Sequence, residues 1–222
     1  VRVLDRVGKG IRSSPRDAAL AAAVPAEKQG AVFGFHRGMD HAGAAIGALM
    51  AWAGLAVFHL PLQKLILFAA FPGMLSLVAL AFLQPPPPKT LSKTTEQVDL
   101  PRSFWWAMLA IGLAGLGAST DSFLLLAATG SDLSASSLPL LWLVLHLIKS
   151  ISSIGSGPVA DRLGRRGMVA AGWLVHILVF IGFALLHQPW AVVALFLIHG
   201  LRAGLSEGAE KAIVSELVQK GR

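Results

Sequence analysis

The sequence of 222 residues contains no cysteine, and this absence excludes disulfide bonds, thiolate metal sites and cysteine nucleophiles. Charged residues are also scarce, at 14% of the chain against about 25% in soluble domains. Apolar residues make up 55%, and the mean hydropathy is +0.66. This composition excludes a disordered chain and argues against an ordinary soluble domain. Because the first residue is Val1, we expect the sequence to be a fragment, truncated at both ends.

Six stretches of the sequence are apolar and long enough to cross a bilayer, which needs roughly 20 apolar residues per helix. They cover about residues 31–60, 62–84, 104–128, 138–157, 168–187 and 190–208. A seventh segment, residues 1–24, has a helical composition but carries many charges. We therefore predict an all-α polytopic membrane helix bundle in which the chain crosses the lipid seven times.

Lysine and arginine outside these spans concentrate on one side of the predicted bundle. With alternating crossings, the opposite side receives only Lys64. The positive-inside rule places the basic side in the cytoplasm, and with it the loops 25–30, 85–102 and 158–167. The net charge of +7 then reports membrane orientation rather than nucleic-acid binding. The nine basic residues on the cytoplasmic side are Lys28, Lys89, Lys93, Arg102, Arg162, Arg165, Arg166, Lys220 and Arg222.

The longest break between spans begins with four prolines, Pro85–Pro88, and continues with a polar run. Segments rich in proline and polar residues act as semi-rigid spacers. We interpret residues 85–102 as a cytoplasmic linker between two transmembrane bundles. Residues 1–84 would be the end of an N-terminal bundle, and residues 103–222 the start of a C-terminal bundle.

Charges inside the predicted spans need a physical reason, since each costs about 2.5–3.5 kcal/mol at the bilayer centre. In residues 1–17 the charged side chains share one face of a helix and aliphatic side chains the other, which favours a cavity-lining helix. The alternative is an amphipathic helix that lies in the lipid headgroups. When residues 1–24 are aligned with the last predicted segment at an offset of 194 residues, Asp17 falls on Lys211. Related bundles with polar helices at equivalent positions are typical of secondary transporters.

These polar faces supply the residues that we predict to line a pathway for a solute or for protons. Asp121, Asp5 and Glu210, in that order, are the candidates for proton coupling, because a partly buried carboxyl group can exchange protons near neutral pH. For Asp121 the alternative is a helix-breaking polar patch near the outer mouth. The complete predicted set is Arg2, Asp5, Arg6, Arg12, Arg16, Asp121, His146, Lys149, His199, Arg202 and Glu210.

A metal site could be drawn from His36, Asp40 and His41, and it would suggest an intramembrane metal-dependent enzyme. Pairing between the imidazoles and the carboxylate is the simpler interpretation, because the sequence offers no second cluster of ligands that would complete a metal site. We therefore predict no metal, no cofactor and no catalytic residue. A sensor or assembly subunit that does not transport is the other alternative.

One short motif carries more information than the spans do. It has the pattern G-x-x-x-D-R-x-G-R-R between two predicted spans and comprises Gly157, Asp161, Arg162, Gly164, Arg165 and Arg166. Taken alone, these residues describe a tight cationic hairpin. The motif also resembles the signature loop of the major facilitator superfamily, which joins helices 2 and 3 and, in a weaker copy, helices 8 and 9.

The resemblance extends over the rest of the chain. Residues 25–34 resemble the turn between family helices 4 and 5, Gly43 and Gly47 occupy the glycine-rich motif of helix 5, and Arg2 matches the arginine of the helix 4 motif. The resemblance implies a fragment that covers helices 4 to 10 of a twelve-helix transporter. It further implies two-bundle architecture and a latch role for the 157–167 loop, which would stabilise the outward-facing state.

The resemblance also implies what the protein does. We expect a secondary active transporter that moves a small solute by alternating access, coupled to protons, and not an enzyme. Its partners would be the solute, protons and the lipid bilayer, without nucleic acid. We expect a monomer, when full-length, in the plasma membrane, with the bacterial inner membrane as the expected location.

Overall fold

The computed structural model describes residues 2–82, 99–117, 121–129 and 138–220, and within α1 it leaves the side chains of residues 2–7, 9 and 12 undescribed. The regular secondary structure of the described residues is entirely helical, which confirms the predicted fold class. A 3-10 turn, Ala26–Lys28, precedes the second α-helix. The α-helices are α1 (Arg2–Ala23), α2 (Gln29–Ala56), α3 (Leu62–Ala81), α4 (Arg102–Gly117), α5 (Asp121–Thr129), α6 (Leu138–Leu163), α7 (Arg165–Leu185) and α8 (Pro189–Lys220).

Within the span predicted over residues 104–128 the structure describes α4 and α5, and residues 118–120 lie outside the described part. The helix bounds correct the sequence prediction in two places. The helix predicted to end at 208 continues to Lys220. The predicted loop 158–167 is almost wholly helical, because α6 runs to Leu163 and α7 begins at Arg165. Most of the predicted linker, residues 83–98, lies outside the described residues.

Gly164 alone separates α6 from α7, and its conformation explains the sharp turn. Its φ of 107° lies in the region that favours glycine, since a Cβ there would clash with the backbone. The turn needs no further residue, so the motif residues on either side of Gly164 stay on rigid helices. This placement fixes the side chains of Asp161 and Arg165 relative to each other.

Four of the described helices are long and apolar enough to cross a membrane by length and composition: α3, α6, α7 and α8. The helix α2 has 28 residues and the length to cross, but it carries the polar run from His36 to His41. No residue of α3 is buried, and large side chains such as Leu67 and Phe71 are exposed along it. An apolar surface of this extent fits lipid better than water.

Helices from the two ends of the chain pack on each other. The helix α6 packs between α2 and α8, α7 packs on α8, and α1 contacts both α2 and α8. We refer to the contact of α1 and α2 with α6 and α8 as the central interface. Phe33 of α2 is buried there between Ala21 of α1 and Ala212 of α8. A second core cluster joins α5, α6 and α8 through Leu124, Leu145 and Phe196.

Candidate functional site

Small residues bring the backbones of α2 and α6 close together at the central interface. Gly30, Gly34 and Gly38 recur every fourth residue, so they lie on one face of α2. A Cβ added to Gly34 would lie 2.5 Å from the carbonyl oxygen of Ser153 and 2.9 Å from the Cα atom of Gly157. Glycines at this spacing allow close helix packing, and any larger side chain at Gly34 would push the helices apart.

Asp161 at the end of α6 binds the N-terminus of α2. Its carboxylate accepts hydrogen bonds from the backbone N–H groups of Gly30, at 2.9 Å, and Ala31, at 2.8 Å. The first N–H groups of a helix have no partner within the helix, and the helix dipole makes this end favourable for an anion. Asp161 therefore links the C-terminal part of the chain to the N-terminal part through charge and hydrogen bonds.

Arg165, the first residue of α7, adds further contacts to this link. It forms an ion pair with Asp161 at 2.8 Å and a second with Glu216 of α8 at 3.2 Å, and it donates a hydrogen bond to the carbonyl oxygen of Ala26. Asp161 and Arg165 have side chains that are only about one-tenth exposed. Within the motif, Gly157 packs on Gly30, whereas Arg162 and Arg166 are exposed.

Two further ion pairs cross the central interface. Lys211 of α8 binds Asp17 of α1 at 2.6 Å, and Arg16 lies beside the same carboxylate at 3.3 Å. The positions Asp17 and Lys211 are those that the 194-residue shift superposes. Deeper in the interface, Arg37 of α2 binds Glu207 of α8 at 3.4 Å.

Two histidines meet at the inner end of these contacts. His41 of α2 lies 3.4 Å from Glu207 through Nε2 and 3.2 Å from His146 of α6 between the two Nδ1 atoms. The indole ring of Trp142 packs on His146, with ring centroids 5.0 Å apart. His146 is 7% exposed, so this contact between α2 and α6 is buried.

A buried charge cluster joins α5, α6 and α8 next to the histidine pair. Asp121 accepts a hydrogen bond from Lys149 at 2.5 Å, and its other oxygen lies 2.9 Å from Nε2 of His199. Lys149 is 3% and His199 is 2% exposed. A buried charge is tolerated only when it is paired and hydrogen-bonded, so the three groups depend on one another. The structure thus brings together three of the predicted pathway residues.

The remaining predicted pathway residues lie elsewhere. Glu210 accepts a hydrogen bond from the indole of Trp173 at 2.8 Å, at a cavity of about 440 Å³ between α4, α7 and α8. The Nε atom of Arg202 is buried, and it has no hydrogen-bond partner among the described residues. The side chains of Arg2, Asp5, Arg6 and Arg12 lie outside the described part of the structure.

The group suggested as a metal site does not converge. His36 pairs with Asp40 at 3.7 Å, whereas His41 of the same helix is directed to Glu207 and His146. Within the described residues, no group of three histidine, aspartate or glutamate side chains could hold a metal ion.

Sequence reasoning missed the roles of Arg37, His41 and Glu207. The polar spacing of α8 put Glu207 beside the predicted pathway residues, but the same spacing does not reveal its partners. Those partners lie on α2, more than 160 residues away along the chain. Only the packing of α2 against α8 connects them.

The whole chain, residues 1–222, matches the sequence profile of the Major Facilitator Superfamily. The chain belongs to the major facilitator superfamily. It is therefore an integral membrane protein with several spans and belongs to a family of transporters, not of enzymes. The signature motif, the all-helical fold and the apolar outer surface agree with this membership.

Three relatives show how far the similarity reaches. An uncharacterized MFS-type transporter of Methanocaldococcus jannaschii is 30% identical over 223 residues, which cover 96% of this chain and 56% of the relative. An uncharacterized protein of Mycobacterium tuberculosis is 25% identical over 232 residues, covering 99% of this chain and 56% of that protein. The multidrug resistance protein MdtH of Cronobacter sakazakii is 33% identical over 74 residues, which are 33% of this chain and 18% of MdtH. No solved structure matches the chain.

This superfamily chain spans 56% of the length of the first two of these relatives. The motif residues Asp161 and Arg165, expected from the family resemblance to form a loop, lie instead on the helices α6 and α7. They contact each other, Asp161 contacts the start of α2, and Arg165 contacts Ala26 of the preceding turn.

Proposed function

We propose that the full-length protein is a secondary transporter that moves a small solute across the membrane by alternating access, coupled to protons. In this proposal the helices α1–α3 belong to an N-terminal bundle within residues 1–84, and α4–α8 to a C-terminal bundle within residues 103–222. Residues 85–102 link the two bundles in the cytoplasm. The protein acts as a monomer in the bacterial inner membrane.

The observation that carries the proposal is the composition of the central interface. Hydrogen bonds, ion pairs and close glycine contacts hold α1 and α2 against α6 and α8. They extend from the contact of Asp161 with the start of α2 to the contact of His41 with α6. Polar contacts of this kind can be exchanged for contacts with water when two bundles separate, whereas a large apolar interface could not be opened at similar cost. We infer that the structure represents the state whose cytoplasmic side is closed.

Membrane orientation supports this assignment. The basic residues at the junction of α6 and α7 lie on the side that the positive-inside rule assigns to the cytoplasm. Asp161 and Arg165 therefore close the cytoplasmic end of the interface, and transport requires that their contacts with α2 break. Arg162, Gly164 and Arg166 complete the proposed gating motif by shaping the turn and carrying its positive charge.

Proton coupling is assigned first to Asp121, within its cluster with Lys149 and His199. Protonation of a carboxylate that a lysine and a histidine share removes its charge and weakens both hydrogen bonds. This changes the contacts between α5, α6 and α8. Glu210 and Asp5 remain further candidates. The other proposed pathway residues are Arg2, Arg6, Arg12, Arg16, His146 and Arg202.

Uptake by the full-length protein in proteoliposomes tests the proposal. With a panel of radiolabelled small solutes, we expect accumulation of at least one solute with an inward proton gradient and only equilibration without it. Asp121→Asn should abolish accumulation but retain exchange, while Asp40→Asn, an exposed carboxylate of α2, should behave as wild type. Absence of uptake for every solute would favour the non-transporting sensor, and unchanged accumulation in Asp121→Asn would refute the assignment of the proton site.

A further inference from the structure

The only described contact between two histidines across the central interface is the one between His41 and His146, and its geometry limits how many protons the pair can hold. The Nδ1 atoms are 3.2 Å apart, which is a hydrogen-bond distance. A hydrogen bond between two imidazole nitrogens needs one N–H and one lone pair. If both rings carried a proton on Nδ1, two N–H groups would face each other at this distance.

Glu207 determines the arrangement of protons in the neutral pair. A carboxylate only accepts hydrogen bonds, so Nε2 of His41 must carry a proton to donate to Glu207 at 3.4 Å. Nδ1 of the neutral His41 ring is then a lone pair, and it accepts from Nδ1–H of His146. In consequence Nε2 of His146 is a bare lone pair, and it is a buried atom with no hydrogen-bond partner among the described residues.

This unpartnered nitrogen is a place for one additional proton. A proton on Nε2 makes His146 an imidazolium, which still donates Nδ1–H to His41 and does so more strongly because the donor is charged. A second additional proton can go only to Nδ1 of His41. It would replace the lone pair that holds the contact.

We infer that His41 and His146 form a proton-binding site that joins the two bundles, in which one additional proton is compatible with the closed interface and a second requires α2 to separate from α6. The inference rests on the proposed function, because it assigns the separation to the opening step of transport. The open state can bind one proton more than the closed state. By linkage, acidification therefore favours the open state, by at most tenfold for each pH unit.

The neighbouring charges surround the site from four helices. Lys149 disfavours an added proton on His146, whereas Asp121 and Glu207 favour one. The charged groups are Arg37 of α2, Asp121 of α5, Lys149 of α6 and Glu207 of α8.

A cysteine reporter at Ser153 measures the opening of the interface without any solute. Ser153 lies on α6 against Gly34, is 1% exposed, and its hydroxyl has no hydrogen-bond partner among the described residues, so Ser153→Cys is a mild substitution. The 222 residues contain no other cysteine, and any cysteine elsewhere in the full-length protein is replaced by serine for this measurement. The rate of labelling by a maleimide in the full-length protein, corrected for the thiolate fraction of a freely accessible cysteine at each pH, reports the open fraction between pH 8 and pH 5.

We expect the open fraction to rise on acidification, with a slope that approaches tenfold per pH unit. In His41→Gln and His146→Gln, where the amide keeps a hydrogen bond but does not titrate, labelling should be slow at pH 8 and nearly independent of pH. His36→Gln, which alters a histidine of α2 paired with Asp40, should retain the wild-type slope. An unchanged slope in His41→Gln would overturn the inference.

A second measurement stands if the variants do not fold. In wild-type protein labelled with ¹⁵N-histidine, the closed state should show a His146 Nε2 signal of the unprotonated type at pH 8, which moves to the protonated type before the interface opens. A protonated Nε2 at pH 8 would contradict the inference. A pH-dependent interface in a protein that transports no solute would refute the proposed function but leave this site standing.

Discussion

Replacing Asp161 by asparagine tests the link between the motif and α2 most sharply. The carboxylate accepts two backbone hydrogen bonds from Gly30 and Ala31 and pairs with Arg165. Asparagine has nearly the same shape but carries no charge and has one acceptor oxygen instead of two. It therefore loses one of the two hydrogen bonds to the start of α2 and the interaction of a full charge with the helix dipole.

The size of the effect follows from these contacts. A hydrogen bond to a charged group contributes about 1.5–3 kcal/mol, and an anion at a helix N-terminus contributes about 0.3–2 kcal/mol. Part of this is regained by water and by the remaining amide oxygen. We expect the closed state to lose about 2–3 kcal/mol relative to the open state, which raises the ratio of open to closed protein about 30- to 150-fold.

The assay is the labelling rate of Ser153→Cys in full-length protein with Asp161→Asn, measured in membranes. Labelling should accelerate by about 30- to 150-fold and solute uptake should slow. The amount of protein inserted in the membrane should stay the same. Glu27→Gln is the matched control, because Glu27 is an exposed carboxylate at the same end of α2. An acceleration below twofold in Asp161→Asn, or an equal acceleration in the control, would refute the latch.

Two further substitutions test the central interface at other points. Gly34→Ala should open the interface and raise reporter labelling more than tenfold, because its Cβ would lie 2.5 Å from a carbonyl oxygen of α6. Gly43→Ala is the control and should leave labelling unchanged, since no atom lies within 4 Å of the added Cβ. Equal effects of the two substitutions would show that the close packing is irrelevant. Asp17→Lys and Lys211→Asp should each slow uptake several-fold in the full-length protein, because each breaks the 2.6 Å ion pair. The double variant, in which the two charges are exchanged, should recover most of the uptake rate. A double variant no faster than the single ones would show that this ion pair does not matter for transport.

The helices and their polar faces were predictable from the sequence, since apolar length and helical spacing are local properties. The motif around Asp161 was recognisable because its residue types recur in the family, and its role as a gate stays a prediction. Its backbone was not predictable, because the turn is made by Gly164 alone and the flanking residues continue the helices. The pairing of Asp17 with Lys211 agrees with the superposition of the two segments, although that superposition by itself predicts equivalence and not contact.

The contacts among His41, His146 and Glu207 could not be predicted. They lie on α2, α6 and α8, and each residue has polar neighbours on its own helix with which it could equally have paired. His41 stands next to Asp40 in the sequence, yet one residue along a helix turns a side chain by about 100°. Which neighbour each side chain meets is decided by the close approach of α2 and α6, and therefore by glycines that carry no chemistry themselves.

The distance between the Lys28 end of α2 and the Leu163 end of α6 tests the proposed opening most directly. Spin labels on Lys28→Cys and Leu163→Cys, both exposed positions, can be measured by pulsed electron paramagnetic resonance in the full-length protein. We predict one short distance at pH 8, and a second, longer distance that gains population on acidification and in Asp161→Asn. A single short distance under all of these conditions, in protein that transports solute, would contradict an interface that opens between α2 and α6.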